Sequence, residues 1–174
     1  MIEREVGLRL WGLLAVLAAG VGLLLSGCAS HPAEAAAAWG KIEPLKSRRA
    51  DVERELGAPL RETPEAAAST LQFRVSGGTV VVAFVDAKFV ATKKLSPELE
   101  GTVLQVVLKH EGSSATPESL SLVNNSGFER EDKDGVSVYR NLKDGLAYTF
   151  IGGKLRTTRY SPSAAQLAGA QEKR

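Results

Sequence analysis

Side chains able to do chemistry are few in this chain and widely spaced. It holds one cysteine, Cys28, and two histidines, His31 and His110. Metal centres draw on clustered His, Cys and carboxylate ligands at short fixed spacings. Neither histidine has such company, and both read as exposed polar residues. Glu129, Glu131, Asp132 and Asp134 form an acidic group around a turn signal. A calcium loop needs a D-x-D-x-D-G frame with a distal glutamate; that frame is absent, and a solvated turn is expected. No serine sits in a Gly-x-Ser-x-Gly elbow. Ser76-Gly77-Gly78 and Ile151-Gly152-Gly153 pair their glycines without the strand-then-helix setting of a phosphate loop. The expectation is a protein that is not an enzyme, with no catalytic residues, no metal and no cofactor. A net charge of +2, with both signs mixed along the chain, lacks the basic excess of a nucleic-acid binder.

The chemistry that remains is the thiol. Arg4 and Arg9 give the chain a basic start, Leu10 to Leu25 runs without a charge, and Ser26, Gly27 and Cys28 follow. A basic segment, an apolar stretch and small residues at a cut describe a secretory signal. The tetrad Leu25-Ser26-Gly27-Cys28 resembles the lipobox of bacterial lipoproteins. That resemblance implies cleavage between Gly27 and Cys28 and a covalent lipid on the Cys28 sulfur. Small side chains at 26 and 27 admit the backbone to the peptidase, and only a thiol supplies the thioether. An uncleaved membrane helix is the alternative, but the apolar run falls short of the roughly 20 residues that cross a bilayer. One acyl chain holds a protein weakly and two or more hold it stably. The expected product is therefore anchored to a membrane by its lipid, facing the periplasm or the cell exterior. Ala29, where an aspartate would retain such a protein at the inner membrane, favours the outer membrane of a two-membrane bacterium by the same resemblance.

The elements that follow must position any function. Removing 27 of 174 residues leaves 147, an ordinary size for one domain, and a single cysteine excludes an internal disulfide. Residues 28–38 read as a lipidated flexible tether, 39–162 as one α+β domain and 163–174 as a disordered tail. Ser47 to Gly57 is predicted as a helix, with Ser47 at the N-cap, Asp51 in the first turn, Val52 and Leu56 on one face, and Arg49 and Glu53 paired on the other. Gly57 and Pro59 stop it. Leu71, Phe73 and Val75 alternate with polar residues, and Thr79 to Val85 is β-branched on both faces, so a hairpin with an inner strand is expected. Val103–Leu108 reads as a further strand. Thr116 and Pro117 suit the start of a second helix that turns Leu120 and Val123 inward. Asp134-Gly135, Asp144-Gly145 and Gly152-Gly153 then mark the turns of a meander over Val136–Asn141, Leu146–Ile151 and Leu155–Tyr160. The fold expected is an antiparallel sheet with two short helices on one face, arranged as a degenerate duplication of a helix-plus-hairpin unit.

The stretch Trp39 to Gly57 reads W-G-K-I-E-P-L-K-S-R-R-A-D-V-E-R-E-L-G. It resembles the opening W-x-x-I-x-P-L-x-S-x-R-x-D-V-E-x-x-L-G of a family of uncharacterised bacterial secreted proteins and lipoproteins. Gly145-Leu146-Ala147-Tyr148 and Tyr160-Ser161-Pro162-Ser163-Ala164 resemble the same family. More distantly, a short helix ending Leu-Gly-x-Pro before a hairpin resembles BamE-like lipoproteins, and the duplicated unit resembles β-lactamase-inhibitor-protein-like folds. These resemblances imply a protein-binding domain with no catalytic residues to transfer.

One internal segment is long enough to carry contacts. Asp86 to Thr102 places Phe89, Val90, Leu95 and Leu99 among Lys88, Lys93 and Lys94, and connections of that length are often functional. Phe89, Lys93, Lys94 and Leu99 are the candidate partner-binding residues, with Arg156, Arg159 and Tyr160 on the last strand as a further basic face. The expected function is a membrane-anchored, non-catalytic interaction module whose partner is an envelope protein. The competing readings are an envelope enzyme with a carboxylate-based site and a lipoprotein carrying an apolar ligand.

Overall fold

The computed structural model describes residues 41–64 and 69–171. The signal segment 1–27, the tether 28–38 with Cys28, and Trp39 lie outside the described residues, as do 172–174. The domain is α+β and rich in strands: one antiparallel sheet of eight strands and three short helices. The strands are β1 (Arg61–Pro64), β2 (Ser69–Val75), β3 (Gly78–Phe84), β4 (Val103–His110), β5 (Glu129–Lys133), β6 (Val136–Asn141), β7 (Leu146–Ile151) and β8 (Lys154–Tyr160). The helices are α1 (Arg49–Leu56), α2 (Ala87–Lys93) and α3 (Ala164–Ala170). In space the strands run β1-β2-β3-β4-β8-β7-β6-β5, so two four-stranded meanders meet at the β4–β8 pair. No described helix is long and apolar enough to cross a membrane.

Helix α1 begins one residue later than the sequence predicts, with its N-cap at 48 and not 47. Ser47 is buried in the preceding turn, its hydroxyl accepting the Glu43 N–H at 2.9 Å. Arg48 is the N-cap, and its N–H donates to the Asp51 carboxylate at 2.9 Å. That bond, followed by Arg54, holds the Asp51 carboxyl below its ordinary range. Arg49 pairs with Glu53 at 2.7 Å as the spacing predicts, and also with Glu62 on β1. Val52 is fully buried and Leu56 partly, packed on Leu71, Phe73, Val80, Val82, Val103 and Val106 of the sheet.

The second predicted helix does not form. Residues 116–121 make turns: Leu120 N–H reaches the Thr116 carbonyl, but Ser121 and then Asn124 adopt left-handed backbone (φ 53° and 59°) and end the coil before a second turn. Leu122, and not Val123, consequently faces inward. It packs on Tyr139, Tyr148, Phe150 and Leu155, with Ala115, Leu120 and Phe128 around it. Two helices instead lie where the sequence predicts a connection and a tail. Asp86 caps α2 by accepting the Phe89 N–H at 2.6 Å. Ser163 and Gln166 cap α3 reciprocally, at 3.1 and 2.8 Å. The end of α3 bonds back to the α2 segment through Ser96 N–H to Ala170 O and a Leu95–Gln171 bridge.

Candidate functional site

The segment from Asp86 to Thr102 is an ordered part of the fold. Phe89 and Leu99 are half-buried against a small cluster of Val85, Val90 and Leu95, which also takes Leu45, Leu104 and Ala170. The Arg48 guanidinium reaches across to the carbonyls of Glu98 and Glu100, at 2.7 and 3.1 Å. Lys93 and Lys94 are exposed at the end of α2. An open groove of about 960 Å³ beside Lys94 is lined by Val90, Leu95, Pro97, Glu100 and Gln171 among others. The structure thus packs Phe89 and Leu99, half-buried, on one cluster and leaves the two lysines exposed.

The remaining side chains singled out in the sequence lie apart. His110 ends β4 half-buried, its Nε2 2.8 Å from the Thr158 hydroxyl, and burial pulls its pKa below the ordinary value. Glu129, Glu131 and Asp132 do not crown a turn: they lie along the edge strand β5, where Glu131 pairs with Arg140 and Asp132 with Arg130. Asp134 occupies the turn that follows. Among the described residues no three His, Cys, Asp or Glu side chains gather in one place.

Register reveals a surface that sequence reasoning missed. Residues directly opposite on neighbouring strands share a face of the sheet. One such row crosses seven strands as Phe73, Val80, Leu108, Thr158, Tyr148, Tyr139 and Arg130, and all but the last are buried. This face receives α1 on one half and the 115–128 segment on the other. The adjacent row belongs to the opposite face and crosses all eight strands: Arg61, Gln72, Val81, Val107, Arg159, Ala147, Arg140 and Glu129. Only Ala147 is buried in it. A second row on that face runs Arg74, Thr79, Lys109, Thr157, Thr149, Val138 and Glu131, and none of these is buried. Valines and threonines interleave there with cations, and the acids lie at the β5 edge and at Glu111, which pairs with Arg74 at 2.6 Å. Lys109 and Arg159 make no ion pair among the described residues. The sequence places Arg156, Arg159 and Tyr160 on one basic face. The structure separates them: Tyr160 packs on the covered core, whereas Arg159 belongs to the open face.

At one end of the open face the two C-terminal stretches noted in the sequence meet. Leu146 pairs with Tyr160, and the Ser161 N–H donates to the Gly145 carbonyl at 2.8 Å. Gly145 has φ +70°, and a Cβ there would stand 2.0 Å from the Ser161 carbonyl oxygen, so no larger residue fits without displacing backbone. The result is a shallow pocket of about 230 Å³ bounded by Arg140, Leu142, Gly145, Ala147, Arg159 and Pro162 among others.

No family model matches the chain, and no curated protein matches it significantly. Among solved structures it is similar to a cysteine-rich secretory protein from Staphylococcus aureus subsp. aureus Mu50, at 12% identity and a TM-score of 0.36. That match covers 67% of this chain and 44% of the other, so it spans less than half of the staphylococcal protein.

Proposed function

We propose that the chain is a bacterial lipoprotein, anchored to a membrane through lipid on Cys28, and that its domain is a non-catalytic interaction module which binds an envelope protein through the open face of its sheet. The anchor rests on the Leu25-Ser26-Gly27-Cys28 tetrad at the end of a basic-then-apolar leader. The mode of action rests on one observation: the sheet packs one face into a core, and the opposite face, outside the end where Ala83 and Val85 are buried beside Val90 and Leu95, carries half-exposed valines, threonines and cations across all eight strands. A large solvated surface that mixes apolar and charged groups at rigid spacing is what recognition requires. The mirrored strand order about β4 and β8 supports the finer reading that the fold is a duplicated helix-plus-strands unit of the BamE-like or β-lactamase-inhibitor-protein-like kind. Lys93 and Lys94 would then act at the margin of the bound partner, with Phe89 and Leu99 as supports. Only ten residues separate Cys28 from Trp39, which keeps the partner close to the bilayer, and Ala29 supports an outer-membrane location.

Two results would test this. A fatty-acid analogue should label the wild type and not Cys28→Ala; label retained by the variant contradicts the anchor. Crosslinking in intact cells should give protein adducts that depend on the open face.

A further inference from the structure

We infer that the pocket bounded by Arg140, Ala147 and Arg159 is a carboxylate site that takes an acidic side chain of the partner, with an apolar neighbour of that side chain seated on Leu142. This inference deepens the interaction-module reading and rests on it. Arg140, Ala147 and Arg159 are directly opposite one another on β6, β7 and β8 and so project from the same face. Strand spacing puts the two arginine backbones about 10 Å apart, with only a methyl group between them. Both arginines line the pocket on either side of this small residue, so an anion seated there meets two cations. A guanidinium offers two parallel N–H donors to that group, the geometry that makes such pairs strong. Arg159 is exposed and makes no ion pair among the described residues; Arg140 gives one nitrogen to Glu131 and keeps other donors. The floor is fixed by the Ser161 to Gly145 bond and by the Ala164 N–H on the Leu142 carbonyl at 3.2 Å. Leu142 is 63% exposed on the rim with Pro162, an apolar ledge beside a cationic gap. The ligand is therefore an Asp or Glu within a peptide segment that carries a neighbouring apolar residue.

The test uses the lipidated full-length chain in detergent micelles. Acetyl-leucyl-glutamate amide should shift the backbone amide resonances of Gly145, Ala147 and Ser161, and acetyl-leucyl-glutamine amide should not. Arg159→Gln should weaken the glutamate probe about tenfold or more, with an unchanged melting temperature, and Arg159→Lys should recover part of the loss. Absence of shifts with the glutamate probe would overturn the site, as would shifts that survive Arg159→Gln. Inorganic phosphate binding as tightly as the peptide would also overturn it, since the ligand would then be a free anion. Cellular crosslinking separates this from the broader proposal: adducts on the open face without peptide binding sink the pocket alone, and peptide binding without adducts sinks the module reading.

Discussion

Val106 and Val107 are neighbours on β4, share its ladder and differ in nothing chemical, yet Val106 is fully buried and Val107 is half-exposed. The same contrast runs from strand to strand, except where Ala83 and Val85 are buried at the α2 end of the second face. On one face Leu71, Phe73, Val80, Val82 and Leu108 meet α1, and Tyr139, Tyr148 and Phe150 meet the 115–128 segment. On the other, Val81, Val107 and Val138 lie among Thr79, Thr149, Thr157 and Arg159 with partial solvent contact. β-Branched side chains suit a pleated strand on either side. What separates the faces is the covering layer, and a covered face supplies stability whereas an open one supplies a surface.

The largest expected effect is on the covered face. Phe73→Ala removes a fully buried ring and should cost about 3–5 kcal/mol in urea unfolding. A loss under about 1 kcal/mol would mean that this face is not the core. Next come two glycines. At Gly145 an added methyl meets positive φ and the Ser161 carbonyl together, so Gly145→Ala should cost more than about 2 kcal/mol. At Gly152, φ is +59° but no atom lies near, and Gly152→Ala should cost only about 1–2 kcal/mol. Equal losses at the two positions would show that the close approach of β7 to the chain after β8 does not constrain the open-face pocket.

Much of this contrast was legible in the sequence, and the illegible part has a physical cause. Leu71, Phe73 and Val75, the Thr79–Val85 run and the three glycine-marked turns disclose strands because alternation and positive φ leave marks in residue type. The edge strands β1 and β5 leave none: Arg61-Glu62-Thr63 and Glu129-Arg130-Glu131-Asp132-Lys133 bury little, and their pairing is made by backbone groups that carry no mark of side-chain type. Charges and proline on such edges also discourage unwanted pairing. Helix α3 was readable from its Ser163–Gln166 cap, but its alanine and glycine content looks like a tail until Ala170 is seen against the Leu95 cluster. The Thr116–Pro117 start misleads because a good N-cap says nothing of Ser121, five residues on, where the backbone reverses hand. The open face was hidden for a different reason. Alternation places Val81 opposite Val80 and Val82 in direction, and only tertiary packing decides which side is covered.

His110 provides a pH signature at the junction of the two meanders. Burial favours its neutral form, so its folded pKa lies below the ordinary 6.5. Its contribution to stability is complete above that ordinary value and is lost as pH falls through it toward the folded value. Unfolding measurements should show stability declining as pH falls below the ordinary 6.5, and His110→Gln should flatten that slope. A slope unchanged by the substitution would place the proton uptake elsewhere. The smallest effect is expected on the open face: Val107→Thr should change stability by within about 0.5 kcal/mol. A loss several times larger would mean that Val107 is packed and that the face is not open.

The most direct test of the central claim sets the two sides of the molecule against each other in living cells. A photo-reactive side chain placed at Val107 samples the open face, and one at Glu55, exposed on α1, samples the covered side. The account predicts a discrete protein crosslink from position 107, none of equal yield from position 55, and loss of the 107 adduct when Cys28→Ala removes the anchor. Equal crosslinking from both positions, or a 107 adduct that persists without the anchor, would contradict it.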